Sequence, residues 1–189
     1  MKKLSLVIGL VAMTLTGFAQ VTPTNTLNEG WGIGVTLSLG MASGIQTDIL
    51  YVGENGGFVG SLGVGLSGDS YGEDYTGTID YNMFNDPSEG TTSQSGLNVT
   101  LSPALRVGKA KKTLIYAGLK IEGYTEYQQL YDPMHILSSN GEYRYEKGGG
   151  ANLGVSAGFV TPISHNILFK GGVNGVKGFN ADLGLIFTF

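Results

Sequence analysis

The chain has 189 residues, of which 32 are Gly, 5 are Pro and none is Cys, and its 15 acids against 11 bases give a formal charge of −4. The absence of Cys excludes disulfides, thiolate metal sites, a Cys nucleophile and a lipid-modified Cys anchor. A helical bundle is disfavoured because each interior Gly costs a helix about 1 kcal/mol relative to Ala, while 8 Phe and 10 Tyr with abundant Leu, Val and Ile argue against disorder.

Residues 1–19 have the pattern of a signal peptide. Lys2 and Lys3 form a positive n-region, residues 4–15 a mostly apolar h-region, and Gly17-Phe18-Ala19 predicts cleavage after Ala19. The apolar stretch is shorter than the roughly 20 residues a membrane-spanning helix needs. The remaining chain divides into a short periplasmic segment, 20–30, and a barrel, 31–189. Without Lys2 and Lys3, 9 bases face 15 acids, so no nucleic-acid partner is expected.

From residue 31 onward hydrophobicity has a period of two, the period of a strand with two unlike faces. Ile33, Val35, Leu37, Leu39 and Met41 alternate with Gly32, Gly34, Thr36, Ser38 and Gly40. Leu97, Val99, Leu101, Pro103, Leu105 and Val107 alternate with Asn98, Thr100, Ser102, Ala104 and Arg106. Turn residues divide the chain into eight predicted strands, 31–42, 45–53, 58–72, 95–108, 113–128, 141–163, 167–175 and 179–189. Connections at 43–44, 54–57, 109–112, 164–166 and 176–178 are short, whereas 69–95 and 129–140 are long and polar.

A soluble barrel hides its apolar face and exposes the polar one; a membrane barrel does the reverse. Here the partners of the apolar residues are mostly Gly, Ser, Thr, Asn and Ala rather than Lys and Glu. Small residues suit the narrow interior of eight strands, strand lengths near 9–11 residues suit a tilted membrane crossing, and closure satisfies the backbone without water. The expected fold is an all-β, eight-stranded antiparallel up-and-down transmembrane barrel.

The final segment Leu183-Gly184-Leu185-Ile186-Phe187-Thr188-Phe189 has an apolar residue at every second position and ends on Phe. With the exported start, the eight alternating strands and the unequal connections, it resembles the small outer-membrane barrels of the OmpA/OmpX type. That resemblance implies an outer-membrane location, contact with outer-membrane lipids, and a C-terminal signal, Leu183, Leu185, Phe187 and Phe189, read by the barrel assembly machinery. It also implies that the long loops 69–95 and 129–140 face outward, where they would meet an extracellular ligand. Tyr124, Tyr127, Tyr131, Tyr143 and Tyr145 would then form an aromatic girdle at the outer rim.

By parity, Asp48, Arg106, Lys120, Glu122, Glu126, Arg144, Glu146, Lys170 and Asp182 point inward as a lumen charge network. Five acids against four bases is near the balance an enclosed set requires, because an unpaired charge there costs several kcal/mol. A three-residue turn at 176–178 would set Lys170 diagonally beside Asp182, and a hairpin at 129–141 would bring Glu126 near Arg144.

Other motifs have simpler readings. Gly63-Val64-Gly65-Leu66-Ser67-Gly68 fits a dinucleotide fingerprint, but no helix follows. Asn98-Val99-Thr100 is a glycosylation acceptor only in form, since Asn98 points into the lumen. His135 with Ser138 or Ser139 is the one conceivable nucleophile–base pair, as a lipid-modifying enzyme would need. It sits in a loop beside Pro133, and no catalytic residue is assigned. The acidic stretch Asp69, Glu73, Asp74, Asp80, Asp86 and Glu89 lacks the spacing of a calcium loop. Lys109, Lys111 and Lys112 make a basic turn suited to the solvated periplasmic side or to anionic headgroups. No cofactor or metal site is expected. A surface-contact or structural barrel is the leading reading, with a narrow channel and a lipid-modifying enzyme as alternatives.

Overall fold

The computed structural model describes residues 27–40, 43–66, 73–75, 87–108, 112–176 and 178–189. The predicted signal peptide lies outside them, as do Asp69, Asp80, Asp86, Lys109 and Lys111. The strands are β1 (Gly30–Gly40), β2 (Gly44–Val52), β3 (Gly56–Gly65), β4 (Glu73–Tyr75), β5 (Ser88–Val107), β6 (Thr113–Tyr131), β7 (Glu142–Pro162), β8 (Ile167–Gly175) and β9 (Phe179–Thr188). All except β4 pair antiparallel with their neighbours along the chain, and β1 pairs with β9 to close a ring of eight.

The faces of the ring follow from the alternation. Ile33, Val35, Leu37, Ile49, Leu62, Val99, Leu101, Ile121 and Leu185 are exposed on the outside, while Thr36, Ser38, Gln46, Asp48, Ser61, Thr100 and Asp182 are buried inside. An exterior so apolar around a polar interior is stable only against hydrocarbon, so the fold is a transmembrane β-barrel.

The interior is not polar throughout. At the end with the tight turns, Leu50, Val52, Val59, Ala104, Leu114, Tyr116, Val160, Leu168 and Ile186 converge with Leu27 into an apolar cluster. Gly32 and Gly34 leave the room that Ile186 fills, since a Cβ at Gly34 would lie 2.6 Å from its side chain. Tyr116 reaches across in the same way. A Cβ on Gly172 would stand 2.4 Å from its hydroxyl and one on Gly158 2.6 Å. Apolar residues enter the inward parity at the strand ends, where side chains from opposite walls meet in a ring only wide enough for them.

Two loop boundaries also move. β5 begins at Ser88 and β6 ends at Tyr131, so 88–95 and 129–131 are strand rather than parts of the loops predicted at 69–95 and 129–140. One residue of the predicted outer girdle does not face outward. Tyr143 is fully buried against Tyr75, with ring centroids 5.8 Å apart. The outward aromatics gather at the opposite end, where Trp31 meets Tyr51 at 5.0 Å and Phe159 meets Phe169 at 5.9 Å. There the Trp31 indole and the Tyr51 phenol, each an apolar ring with a polar tip, suit both lipid and headgroup.

Leu101 is outward on the apolar run of β5, and Thr91 is exposed on the same strand beyond the ring. Leu101→Arg is expected to destabilise the barrel by about 2–4 kcal/mol and Thr91→Arg by less than about 1 kcal/mol. Urea titration after refolding into lipid vesicles measures both, and equal tolerance would contradict a lipid-facing exterior.

Candidate functional site

Opposite walls of a ring this narrow lie within reach of a lysine side chain, and two networks cross it. In the lower one the Lys170 ammonium donates to Asp48 Oδ1 at 2.6 Å and to Ser61 Oγ at 3.2 Å, and Ser61 donates to the same Asp48 oxygen at 2.6 Å. The Thr36 hydroxyl donates to Asp48 Oδ2, and the ammonium stands 5.8 Å from the centre of the Tyr116 ring. In the upper network Lys120 Nζ is 3.1 Å from Glu122 Oε2 and donates to Asn174 Oδ1 at 2.9 Å. Asn174 Nδ2 donates to Asp182 Oδ1 at 2.6 Å, joined there by the Ser38 hydroxyl at 2.7 Å. Ser95 donates to Glu122 Oε1 at 2.7 Å, and Asn180 donates to Asn174.

Of the nine predicted lumen charges, Asp48, Lys120, Glu122, Lys170 and Asp182 are buried together. Their pairing differs from expectation. Gly172 does face Asp182 as the turn length required, but Lys170 reaches across the lumen to Asp48, and Asp182 is satisfied by an amide and a hydroxyl. Arg106 lies at the tight-turn end, with Nε and Nη2 buried and lacking hydrogen-bond partners. Glu126, Arg144 and Glu146 are not in the lumen network. A register shift after Glu126 puts Gly148 opposite Glu126 and Gln129 opposite Arg144, so the expected Glu126–Arg144 pair does not form. The amide and hydroxyl partners, Ser38, Thr36, Ser61 and Asn174, sat on the inward parity face but carried no charge to draw notice.

The second feature stands above the ring. β3 pairs with β5 only as far as Leu97, and β8 pairs with β7 only as far as Val155. Beyond those points β5, β6 and β7, which are 20, 19 and 21 residues long, continue as a three-stranded sheet. β4 is laid against the outer edge of β7 in parallel, with Asp74 opposite Arg144. Arg144 forms an ion pair with Asp74, which holds that carboxyl below its usual range, and packs 4.7 Å over the Tyr127 ring.

At the top of the sheet the connection 132–141 is ordered by one carboxylate. Asp132 accepts backbone N–H bonds from Leu137 at 2.7 Å, Met134 at 2.8 Å and Ile136. These bonds, led by that from Leu137, hold its carboxyl below the ordinary carboxylate range, with the His135 charge adding to them. His135 takes a positive φ of 55°, and its Nδ1 lies 3.2 Å from the Ser139 carbonyl oxygen. The Ser138 hydroxyl donates to Asn140 at 2.6 Å. With the Ser138 hydroxyl committed to an amide and His135 Nδ1 beside a carbonyl, the His135–Ser138 dyad considered from the sequence does not form. Among the described residues no group of three His, Cys, Asp or Glu is placed to hold a metal ion.

The ring so described is the architecture of the small outer-membrane barrels that the sequence resembles. No protein-family model matches the chain, and no curated protein does. Among solved structures it is similar to Ail, the attachment invasion locus protein of Yersinia pestis, at 13% identity over 85% of this chain and 94% of that one, with a TM-score of 0.48. The same protein in complex with the heparin analogue sucrose octasulfate gives 12% identity over the same shares and a TM-score of 0.44.

Two outcomes follow from this geometry. Lys170→Met leaves the buried Asp48 carboxylate without its cation and is expected to cost about 3–5 kcal/mol, most of it recovered by adding Asp48→Leu. Urea titration of the two singles and the double completes the cycle, and additivity would show that the pair does not interact. Asp132 has a depressed folded-state pKa, so it stabilises the loop above the ordinary carboxylate pKa of about 3.9 and loses that effect as pH falls through its lower folded value. The amide resonances of Met134, Ile136 and Leu137 should therefore titrate together with a midpoint below that value. A midpoint above it would contradict the hydrogen-bonding account.

Proposed function

We propose that this chain is an integral outer-membrane barrel whose role is surface contact, the ring serving as anchor and the projecting sheet as the contacting part. The observation that carries this reading is the length of β5, β6 and β7. About 9–11 residues suffice to cross a membrane, so roughly half of each strand, about 30 Å at 3.3 Å per residue, stands clear of the lipid. The closed, packed ring gives that sheet a rigid base. On this reading the end whose connections are all short is periplasmic and the end with the projection is the outer one. Insertion would use the C-terminal residues Leu183, Leu185, Phe187 and Phe189, all exposed on the outside of the ring, as the signal read by the barrel assembly machinery.

A narrow channel is the reading next in line, and the apolar cluster with its cross-lumen ion pairs weighs against it. Both readings meet in one experiment. Protein in planar bilayers is expected to show no steady porin-like steps, and liposomes bearing it should bind host-cell layers or a second cell surface. Replacing residues 125–145 by a tight turn should abolish that binding while leaving insertion intact. Undiminished binding by the shortened protein would show that the projecting sheet is not the contacting part, no binding by the intact protein would leave only a structural role, and steady conductance would favour the pore.

A further inference from the structure

Among the described residues the β7 edge of the projecting sheet is paired only at Tyr143–Tyr145, where the chain itself covers it. Glu73, Asp74 and Tyr75 face Tyr143, Arg144 and Tyr145 in parallel, whereas every other pairing among the described strands is antiparallel. Parallel pairing is slightly the weaker kind per residue. Among the described residues three pairs hold β4, their ion pair is solvent-facing on the Asp74 side, and the next residues of β7, Glu146, Lys147, Gly148, Gly149 and Gly150, are exposed. The fit is also imperfect at one atom. The Tyr75 hydroxyl is buried and has no hydrogen-bond partner, while its ring packs edge-on against the fully buried Tyr143. An aromatic side chain without that hydroxyl would make the same ring contact and leave nothing unsatisfied.

We propose that the Tyr143–Arg144–Tyr145 edge of β7 is a docking site for an extended partner segment, and that β4 occupies it as an internal stand-in which such a segment displaces. The chemistry of the stand-in defines the partner: a strand running parallel to β7, with an acidic residue opposite Arg144 followed directly by an aromatic residue, Phe being favoured over Tyr. The guanidinium of Arg144, already seated over the Tyr127 ring, supplies a planar donor edge that selects a carboxylate. The backbone edge supplies affinity and these two side chains supply specificity. This inference rests on the surface-contact reading and names the kind of partner that sheet takes.

The test uses the full-length protein in lipid nanodiscs and a fluorescent peptide with the sequence of residues 71–77. Asp74→Lys releases the strap and leaves Arg144 available, so the peptide is expected to bind about tenfold more tightly than to the wild type, because an edge occupied most of the time lowers apparent affinity by the fraction left free. The peptide carrying Tyr75→Phe should bind more tightly still. Arg144→Glu should lose the peptide, and a peptide with its central acid changed to Lys should regain it. A reversible lock guards against misfolded variants: the chain has no native Cys, so Glu73→Cys with Tyr143→Cys joins the strap to the edge when oxidised. The locked form should not bind, and the same sample should bind after reduction. Equal peptide affinity for wild type and Asp74→Lys, or for locked and reduced forms, overturns the proposal. If that happens while the shortened sheet still abolishes surface binding, the docking edge is wrong and the surface-contact reading stands.

Discussion

Hydrocarbon offers no hydrogen bonds, so every backbone amide and carbonyl within the bilayer must find its partner in the chain. The pairing of β1 with β9 meets that demand by leaving the ring without an edge. Everything inside follows from the ring's small circumference. Eight strands enclose only enough space for their own side chains, so large inward residues such as Tyr116 require glycine on the two strands beside them, and a charge on one wall finds its partner on another. The Lys170–Asp48 pair is the clearest consequence. Neither group has water to return to, and each has hydroxyl or aromatic neighbours that complete its surroundings.

Above the ring the constraint changes. Water can satisfy open edges there, so β5, β6 and β7 continue as an open sheet and the chain can carry loops, exposed charges and a parallel strap. Order in this region comes from local polar contacts rather than from lipid. Asp132 gathers three backbone amides, His135 accepts a positive φ, and Arg144 ties β4 to the sheet through Asp74. The same molecule thus combines a base that cannot open without breaking buried ion pairs with an upper sheet whose contacts are individually weak and exchangeable. That division is what the proposed surface-contact role would require.

Period-two alternation made the fold class legible, because lipid and lumen impose opposite polarities on consecutive residues and leave a mark on every strand. Ring size followed from strand count, and the register of the last hairpin from a three-residue turn, which places Gly172 opposite Asp182. Inward charges such as Asp48, Lys120 and Glu122 could be picked out by parity alone. Parity failed where strands outran the ring. Glu126, Arg144 and Glu146 obey the same alternation as the lumen charges, yet lie on the projecting sheet, since alternation marks a face and carries no height.

The amino-acid sequence by itself determined which residues face outward and which inward, that the strands close into a barrel, and which end carries the tight turns, because these depend on local periodicity and turn length. Only the tertiary structure decided which charges meet, where the lumen turns from polar to apolar, and that β4 crosses to the edge of β7. Those contacts join residues distant along the chain, Asp48 to Lys170 and Asp74 to Arg144, and their geometry is set by the curvature of the ring and the slip of register after Glu126. Neither property is stored in any single stretch of sequence.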